Sequence, residues 1–447
     1  MSFRDASIVV IDCSQYTLTA GRGLADLLAL PSIHRSTLSP DDPDPFHKSG
    51  DVLSWPSASA IWKRLLFTDL GVRRRVNESP VCLSFPAASY DTYERLTQLF
   101  FEKFNVPALC VVQRPLAQLF AVNVTTGLVV DVGVEETICT PVVDTVLQHT
   151  GVFRTPVGRK DCEVYLAHLL SSSQSITQSL SPPESPLSPS TLWNQLLALV
   201  RQLVRDGQVR APSEDGEEED EGLTDVAAAL VAGKEREVVE AATRRKANDK
   251  RTHAAADRVM ETREREIAAL DLVTVEFEGK TVRLGKERHR FCEPLFDPSV
   301  LRSTGLREKA GWTEQELEEK VLSVQEAAQE GMMKLEWEKR KLVWEGVLVT
   351  GEMGNVKGLP SSLHSHLQPY IHAEDDSPNP PPPSRILKIP EYFAEYRDKG
   401  EGLAGFLGAC IVAKVAFADP SGKNYVSKLD YNAKGPISVL SNSPSLF

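Results

Sequence analysis

Paired cysteines are missing from this 447-residue sequence. Its seven cysteines, at positions 13, 82, 110, 139, 162, 292 and 410, are scattered with no Cys-x-x-Cys pair. That scatter argues against a disulfide framework and for a reducing compartment with buried thiols. Positive charge is also scarce. The chain has 50 basic against 62 acidic side chains, a formal charge of −12. A dedicated nucleic-acid binder needs a basic face, so that class is disfavoured. No apolar run reaches membrane-spanning length, and the opening MSFRDASIVVID has no apolar leader segment. Together these absences point to the cytoplasm or nucleus. What is present is ordinary for a folded protein. Hydrophobic residues make up 41% and charged residues 25% of a chain long enough for two or more domains.

Strands alternate with helices, which predicts an α/β architecture. The run 7–12 (SIVVID) reads as a buried strand, 58–70 as a helix, 81–85 as a strand, 91–104 as an amphipathic helix and 108–112 as another strand. A short helix over 115–122 follows. The Ser/Pro/Gln tract 171–190 reads as a flexible linker, and 192–203 as a helix. The acidic run 214–222 (EDGEEEDEG) reads as a solvated loop, and 234–270, dense in Ala, Arg, Glu and Lys, as one or two long charged helices. Residues 273–284 have the pattern of a hairpin turning at Gly279. Residues 312–344 are mostly helical, 346–350 form a strand, and 405–414 form a helix of small residues. The Pro-rich segments near 31–50 and 373–384 read as loops. His364 and His366 read as a surface pair, and the basic stretch 244–251 as a solvated helical face. Cys13 has no histidine base nearby in the sequence and reads as a structural thiol.

The stretch TTGLVVDVGVEET, 125–137, carries the first chemical signal. A buried run ends in Asp131 and a turn at Gly133, a common way to present a carboxylate and backbone N–H groups to a phosphate and its metal ion. Glu135 and Glu136 are poor neighbours for that anion.

Five segments taken in order resemble the actin and actin-related protein family. They are LTQLFFEKFNVPALCV (96–111), TTGLVVDVG (125–133), LGKERHRFCEPLFDPSVL (284–301), VLVTGEMGNVKGLPSSL (347–363) and VSKLDYNAKGPISV (426–439). The resemblance implies a two-lobed α/β fold, each lobe built on a ribonuclease-H-like sheet, with a nucleotide cleft between. It implies a first lobe over 1–122 with a shortened flap near 31–50. A second lobe would cover 123–404, including the linker 171–190 and an acidic and helical insertion at 204–270. The segment 405–447 would return to the first lobe. Within the cleft the implied cofactor-binding positions are Asp12, Ser14, Asp131, Gly133, Gly158 and Gly351.

The departures from the family are informative. Its first phosphate loop, Asp-Asn-Gly-Ser-Gly with a lysine shortly after, is here Asp12-Cys13-Ser14-Gln15-Tyr16, with Thr19 in the place of the lysine. Both glycines that would let backbone approach phosphate are gone. Val134 and Glu135 replace an Asp-Gly pair in the second loop. Glu352 replaces a glycine beside Gly351, and Arg114 aligns with the glutamine that positions the attacking water. Phosphoryl transfer needs positioned metal, water and neutralising donors together. The cleft is therefore expected to be vestigial, with no catalytic residue, no bound metal and no cofactor.

The stretch EDEGLTDVAAALVAGKEREVVE, 219–240, is similar to the fungal ninth class of nuclear actin-related proteins, subunits of the SWI/SNF and RSC chromatin remodellers. This resemblance implies a non-catalytic nuclear scaffold in transcription regulation. It would pair with a second actin-related protein and clasp the helicase–SANT-associated helix of the motor ATPase, with no specific nucleic-acid contact and no membrane. Gly405, Phe406, Gly408, Ala409 and Phe447 are the expected partner contacts, in a groove also framed by 140–155 and 431–447. An actin-fold ATPase or sugar-kinase-like enzyme is the alternative, and a cytoplasmic dynactin-type actin-related protein a third reading.

Overall fold

A computed structural model describes residues 3–14, 16–24, 26–36, 52, 54–181, 187–211, 273–312, 320–373, 384–419 and 421–442. The acidic run 214–222, the charged segment 234–270 with its basic stretch 244–251, and nearly all of 37–53 and 374–383 lie outside the described residues. The chain forms two compact units, Met1–Tyr165 with Cys292–Phe447, and Leu166–Phe291.

The first unit contains two sheets of matching design. Strand β1 (Val9–Cys13) pairs antiparallel with β2 (Thr17–Arg22), which pairs with β3 (Ile33–Ser36). On its other side β1 runs parallel to β4 (Val81–Phe85), and β4 runs parallel to β5 (Ala108–Gln113). The second sheet repeats that pattern. Strand β6 (Gly127–Val132) pairs antiparallel with β7 (Thr137–Val143), which pairs with β8 (Val146–Leu147) and β9 (Phe153–Thr155). On its other side β6 runs parallel to β12 (Gly346–Gly351), which runs parallel to β13 (Arg385–Ile386). Asp12 and Asp131 thus occupy equivalent strands of two topologically similar sheets.

The strands of the first sheet read as continuous apolar runs because both faces are covered. Along β1 the side chains alternate. Val10 joins a core with Cys82, Leu116, Val129 and Leu348, while Val9 and Ile11 join another with Trp62, Phe100 and Phe104. The first of these cores contains residues of both sheets, joined through helix α1 (Arg114–Ala121) and helix α2 (Ala404–Ala418). All seven cysteines are buried and unpaired, and burial raises the Cys139 and Cys162 thiols well above their ordinary range.

The second unit contains the hairpin expected at 273–284, now β10 (Val273–Phe277) and β11 (Lys280–Leu284), and a helix over Pro189–Arg205. Part of the expected linker is instead ordered. Gln174–Leu180 is a helix packed on β11, with Ile176 and Leu180 buried and the Leu180 carbonyl accepting from Lys280 Nζ at 2.7 Å. The Ser-rich composition hid an apolar pair at i, i+4.

Two further expectations need correction. An 18-residue stretch, Glu401–Ala418, is in fact long and apolar enough to cross a membrane. Eleven residues of α2 are buried, among them Leu407 and Ala413, which are fully enclosed. That is the condition of a core helix. The His364–His366 pair sits on the helix Leu359–Ala373, but His366 is not simply on the surface. Its ring stacks on Phe296 at 4.2 Å and its Nδ1 lies 2.7 Å from the Ser362 carbonyl.

Candidate functional site

The ends of β1 and β6 bring Asp12 and Asp131 to a common point in the first unit. Between them stands Arg114, the first residue of α1, delivered by β5. Its Nε lies 3.3 Å from Asp12 Oδ1, and its Nη1 pairs with Asp131 Oδ2. The Arg114 side chain is 9% exposed and the two carboxylates 7% and 17%, so this is a buried charge triad. Remaining lone pairs are served from within the chain. Ser84 Oγ donates to Asp12 Oδ1 at 2.6 Å, and Gln118 Nε2 donates to Asp131 Oδ2 at 2.9 Å. Such satisfaction is what makes a buried ion pair tolerable.

The surrounding loops are closed on themselves in the same way. The Ser14 N–H donates to the Thr17 carbonyl at 2.9 Å, and the Gly133 N–H to the Glu136 carbonyl at 2.9 Å. The Gly158 N–H donates to Asp161 at 2.8 Å, and the Glu352 N–H to the Val132 carbonyl at 2.8 Å. Gly351 holds a left-handed backbone, φ +91°, against Asp131, where a Cβ would collide with the carboxylate. Tyr16 donates its hydroxyl to Glu135 at 2.6 Å, and Lys160 pairs with the same carboxylate at 3.2 Å. Arg159 pairs with Glu352 at 3.1 Å and with Glu163 at 3.2 Å. Thr19 Oγ1 lies 2.9 Å from His34 Nδ1. Gln15 lies outside the described residues.

Beside this cluster is a small cavity, open to solvent, with Tyr16, Phe85, Pro86, Pro115, Val134 and Ile138 among its lining residues. Its charged members are already paired, Arg154 with Glu136 at 3.2 Å and Arg114 as above. Asp161, at the start of the helix Arg159–Ser171, receives a second hydrogen bond from Trp312 Nε1 at 2.6 Å, yet burial pushes its carboxyl up to about 6.

These observations can be set against known proteins. The Actin family model matches residues 43–441. The chain belongs to the actin family. Its α/β architecture, with two sheets of duplicated topology, is the one that the five sequence segments imply. One curated relative is the SWI/SNF and RSC complexes subunit arp9 of Schizosaccharomyces pombe, 27% identical over 444 residues, covering 90% of this chain and 79% of that protein. Another is Actin-related protein 4 of Arabidopsis thaliana, 23% identical over 341 residues, covering 75% of this chain and 66% of that protein.

Within this actin-family cleft the residues present do not fit a metal-bound nucleotide. A metal needs the Asp12 and Asp131 carboxylates, and a guanidinium already lies between them. Polyphosphate needs unpaired N–H donors and cations, whereas the N–H groups of Ser14, Gly133, Gly158 and Glu352 and the cations Arg114, Arg159 and Lys160 are paired within the chain. Ser14, Asp131, Gly133 and Gly351 line the same cavity, Arg114 joins Asp131 to Asp12, and Gly158 lies against Val134, so these positions form a cluster of internal ion pairs and hydrogen bonds.

The expected partner contacts on α2 do not form an open surface. Phe406 and Ala409 are buried. A Cβ on Gly405 would meet Asp12 Oδ2 at 2.6 Å, and one on Gly408 would overlap the Ala117 carbonyl. Their small size serves packing of α2 against α1 and β1, so no second helix can enter there. Phe447 lies outside the described residues. Sequence reading did not single out four exposed apolar residues. Val415 on α2, Leu429 on the helix Lys428–Lys434, Ile437 and Val146 are exposed to the extent of 64%, 73%, 56% and 43%. For Val415 the signal was its place beside Lys414, off the buried positions of α2.

Proposed function

We propose that this actin-family chain is a non-catalytic subunit of a nuclear ATP-dependent chromatin remodelling complex. The observation that carries the non-catalytic part is Arg114 between Asp12 and Asp131, which puts a fixed cation where a nucleotide's metal would be needed. The assembly part rests on similarity, across 90% of the chain, to a protein named as a subunit of SWI/SNF and RSC complexes. The chain pairs with a second actin-related protein and holds an amphipathic helix of the motor ATPase. That helix lies over Val146, Val415, Leu429 and Ile437, apolar side chains on the elements expected to frame the partner groove. A partner helix basic on its polar face complements the −12 charge and gains association rate from it.

The test is affinity purification of the tagged full chain from nuclear extract, combined with ATP turnover. The expected result is recovery of a second actin-related protein and a remodeller motor subunit, with no ATP hydrolysis above buffer. Val415→Asp with Ile437→Asp should lose the motor subunit while keeping the wild-type circular dichroism. Purification without either partner, or nucleotide turnover by the wild type, overturns the reading.

A further inference from the structure

The Arg114 triad has a consequence for what holds the two sheets of the first unit together. Asp12 belongs to one sheet and Asp131 to the other, and both carboxylates are largely buried. Two like charges in low dielectric repel strongly unless a cation lies between them. A helix N-terminus offers at most a partial positive charge, so a full cation must come from a side chain. Both carboxylates lie near the start of α1, but a cation at a helix N-terminus opposes the helix dipole. Arg114 is therefore held there by the carboxylates and against its own helix. The guanidinium is planar, permanently charged and forked, so one side chain reaches both acids.

We propose that Arg114 is a built-in counter-ion that replaces a divalent cation at the junction of the two sheets, and that Asp12 and Asp131 form a latent divalent-cation site which Arg114 keeps closed. With Arg114 in place each carboxylate has a cationic partner without metal or nucleotide, so the junction keeps one geometry whatever the nucleotide or cation supply. Without Arg114, the two carboxylates and the carbonyl oxygen of a reoriented Gln118 present hard oxygen ligands of the kind that Ca²⁺ accepts. The proposal rests on the non-catalytic reading of the cleft, but it fails separately. Hydrolysis of ATP by the wild type would sink that reading, whereas the results below bear on Arg114 alone.

The experiment uses the full chain and three forms: wild type, Arg114→Gln, and Arg114→Gln with Asp131→Asn. Thermal midpoints are read in EDTA and in millimolar Ca²⁺, and Tb³⁺ luminescence serves as a probe of cation binding. The wild type should have the same midpoint in both buffers and bind no Tb³⁺ in the cleft. Arg114→Gln should lose on the order of 3–5 °C in EDTA, since it leaves two buried charges unpaired. Ca²⁺ should restore most of that loss, and Tb³⁺ should bind. The double variant should recover midpoint in EDTA and lose the response to Ca²⁺ and Tb³⁺. If Arg114→Gln does not fold in EDTA, folding of the double variant still supports the charge argument, and failure of both overturns it. An unchanged midpoint in Arg114→Gln, a loss that neither Ca²⁺ nor Asp131→Asn relieves, or cleft binding of Tb³⁺ by the wild type would each overturn the proposal.

Discussion

Gly408 offers the sharpest test of how α2 is packed. In a helix interior, Gly→Ala usually stabilises by about 1 kcal/mol through backbone entropy. Here the added methyl would overlap the Ala117 carbonyl, with the Ala117 Cα 3.1 Å away. Those are backbone atoms of α1, whose Leu116 and Leu119 are fixed in the same core. They cannot rotate aside as a flexible side chain would. Overpacking of this kind costs about 1–3 kcal/mol, and a backbone obstacle belongs at the upper end. The net expectation for Gly408→Ala is a loss of about 2 kcal/mol, or roughly 2 °C in midpoint at this chain length. Lys414, exposed on the same helix, gives the internal control, because Lys414→Gly and Lys414→Ala measure the bare propensity difference there. Urea unfolding followed by tryptophan fluorescence and by circular dichroism reads both. If Gly408→Ala gains stability by the amount the Lys414 pair predicts, α2 does not contact α1 as described. The same contact makes Gly408→Trp a folding defect, so loss of partner binding in that variant would carry no information about a groove.

Two other outcomes follow from burial elsewhere. The Asp161 carboxyl is raised to about 6 from an ordinary 3.8, burial outweighing its hydrogen bonds from Gly158 and Trp312 and the nearby charge of Lys160. The folded state then holds that proton more tightly, so its stabilising share, about 3 kcal/mol, is complete below about pH 4 and lost as pH rises through 6. The wild-type minus Asp161→Asn difference in unfolding free energy should fall between pH 4 and 6 and be flat above; a difference that is constant from pH 4 to 7 would show that the group titrates normally. In the second unit, Leu180→Ala should cost about 2–5 kcal/mol of local stability, read as faster amide exchange in β10 and β11; unchanged exchange there would mean that the helix Gln174–Leu180 does not support the hairpin.

How much of this was legible in the sequence depended on whether the governing contact was local. Strands β4 and β5 were readable because both faces are covered and every residue is apolar or nearly so. The hairpin at β10 and β11 was readable because Gly279 sits in a left-handed turn, φ +75°, between two alternating runs. Strand β7 was not read, because Thr137, Thr140 and Pro141 dilute its apolar pattern and its place is set by pairing with β6. At the site, the sequence pointed to Asp12 and Asp131 and to the loss of phosphate-loop glycines. It showed Arg114 only as an odd substitution, since the two acids it bridges lie 102 and 17 residues away. The small residues of α2 were misread for a related reason. Gly405 and Gly408 do permit a close approach, but spacing along one helix cannot say whether the approaching backbone belongs to another chain or, as here, to Asp12 and Ala117 of the same one. A stripe of small residues fixes a distance and leaves the identity of the neighbour to the fold. The exposed Val415 and Ile437 are the better guide to a partner, because an apolar side chain left in water has its favourable burial still to come.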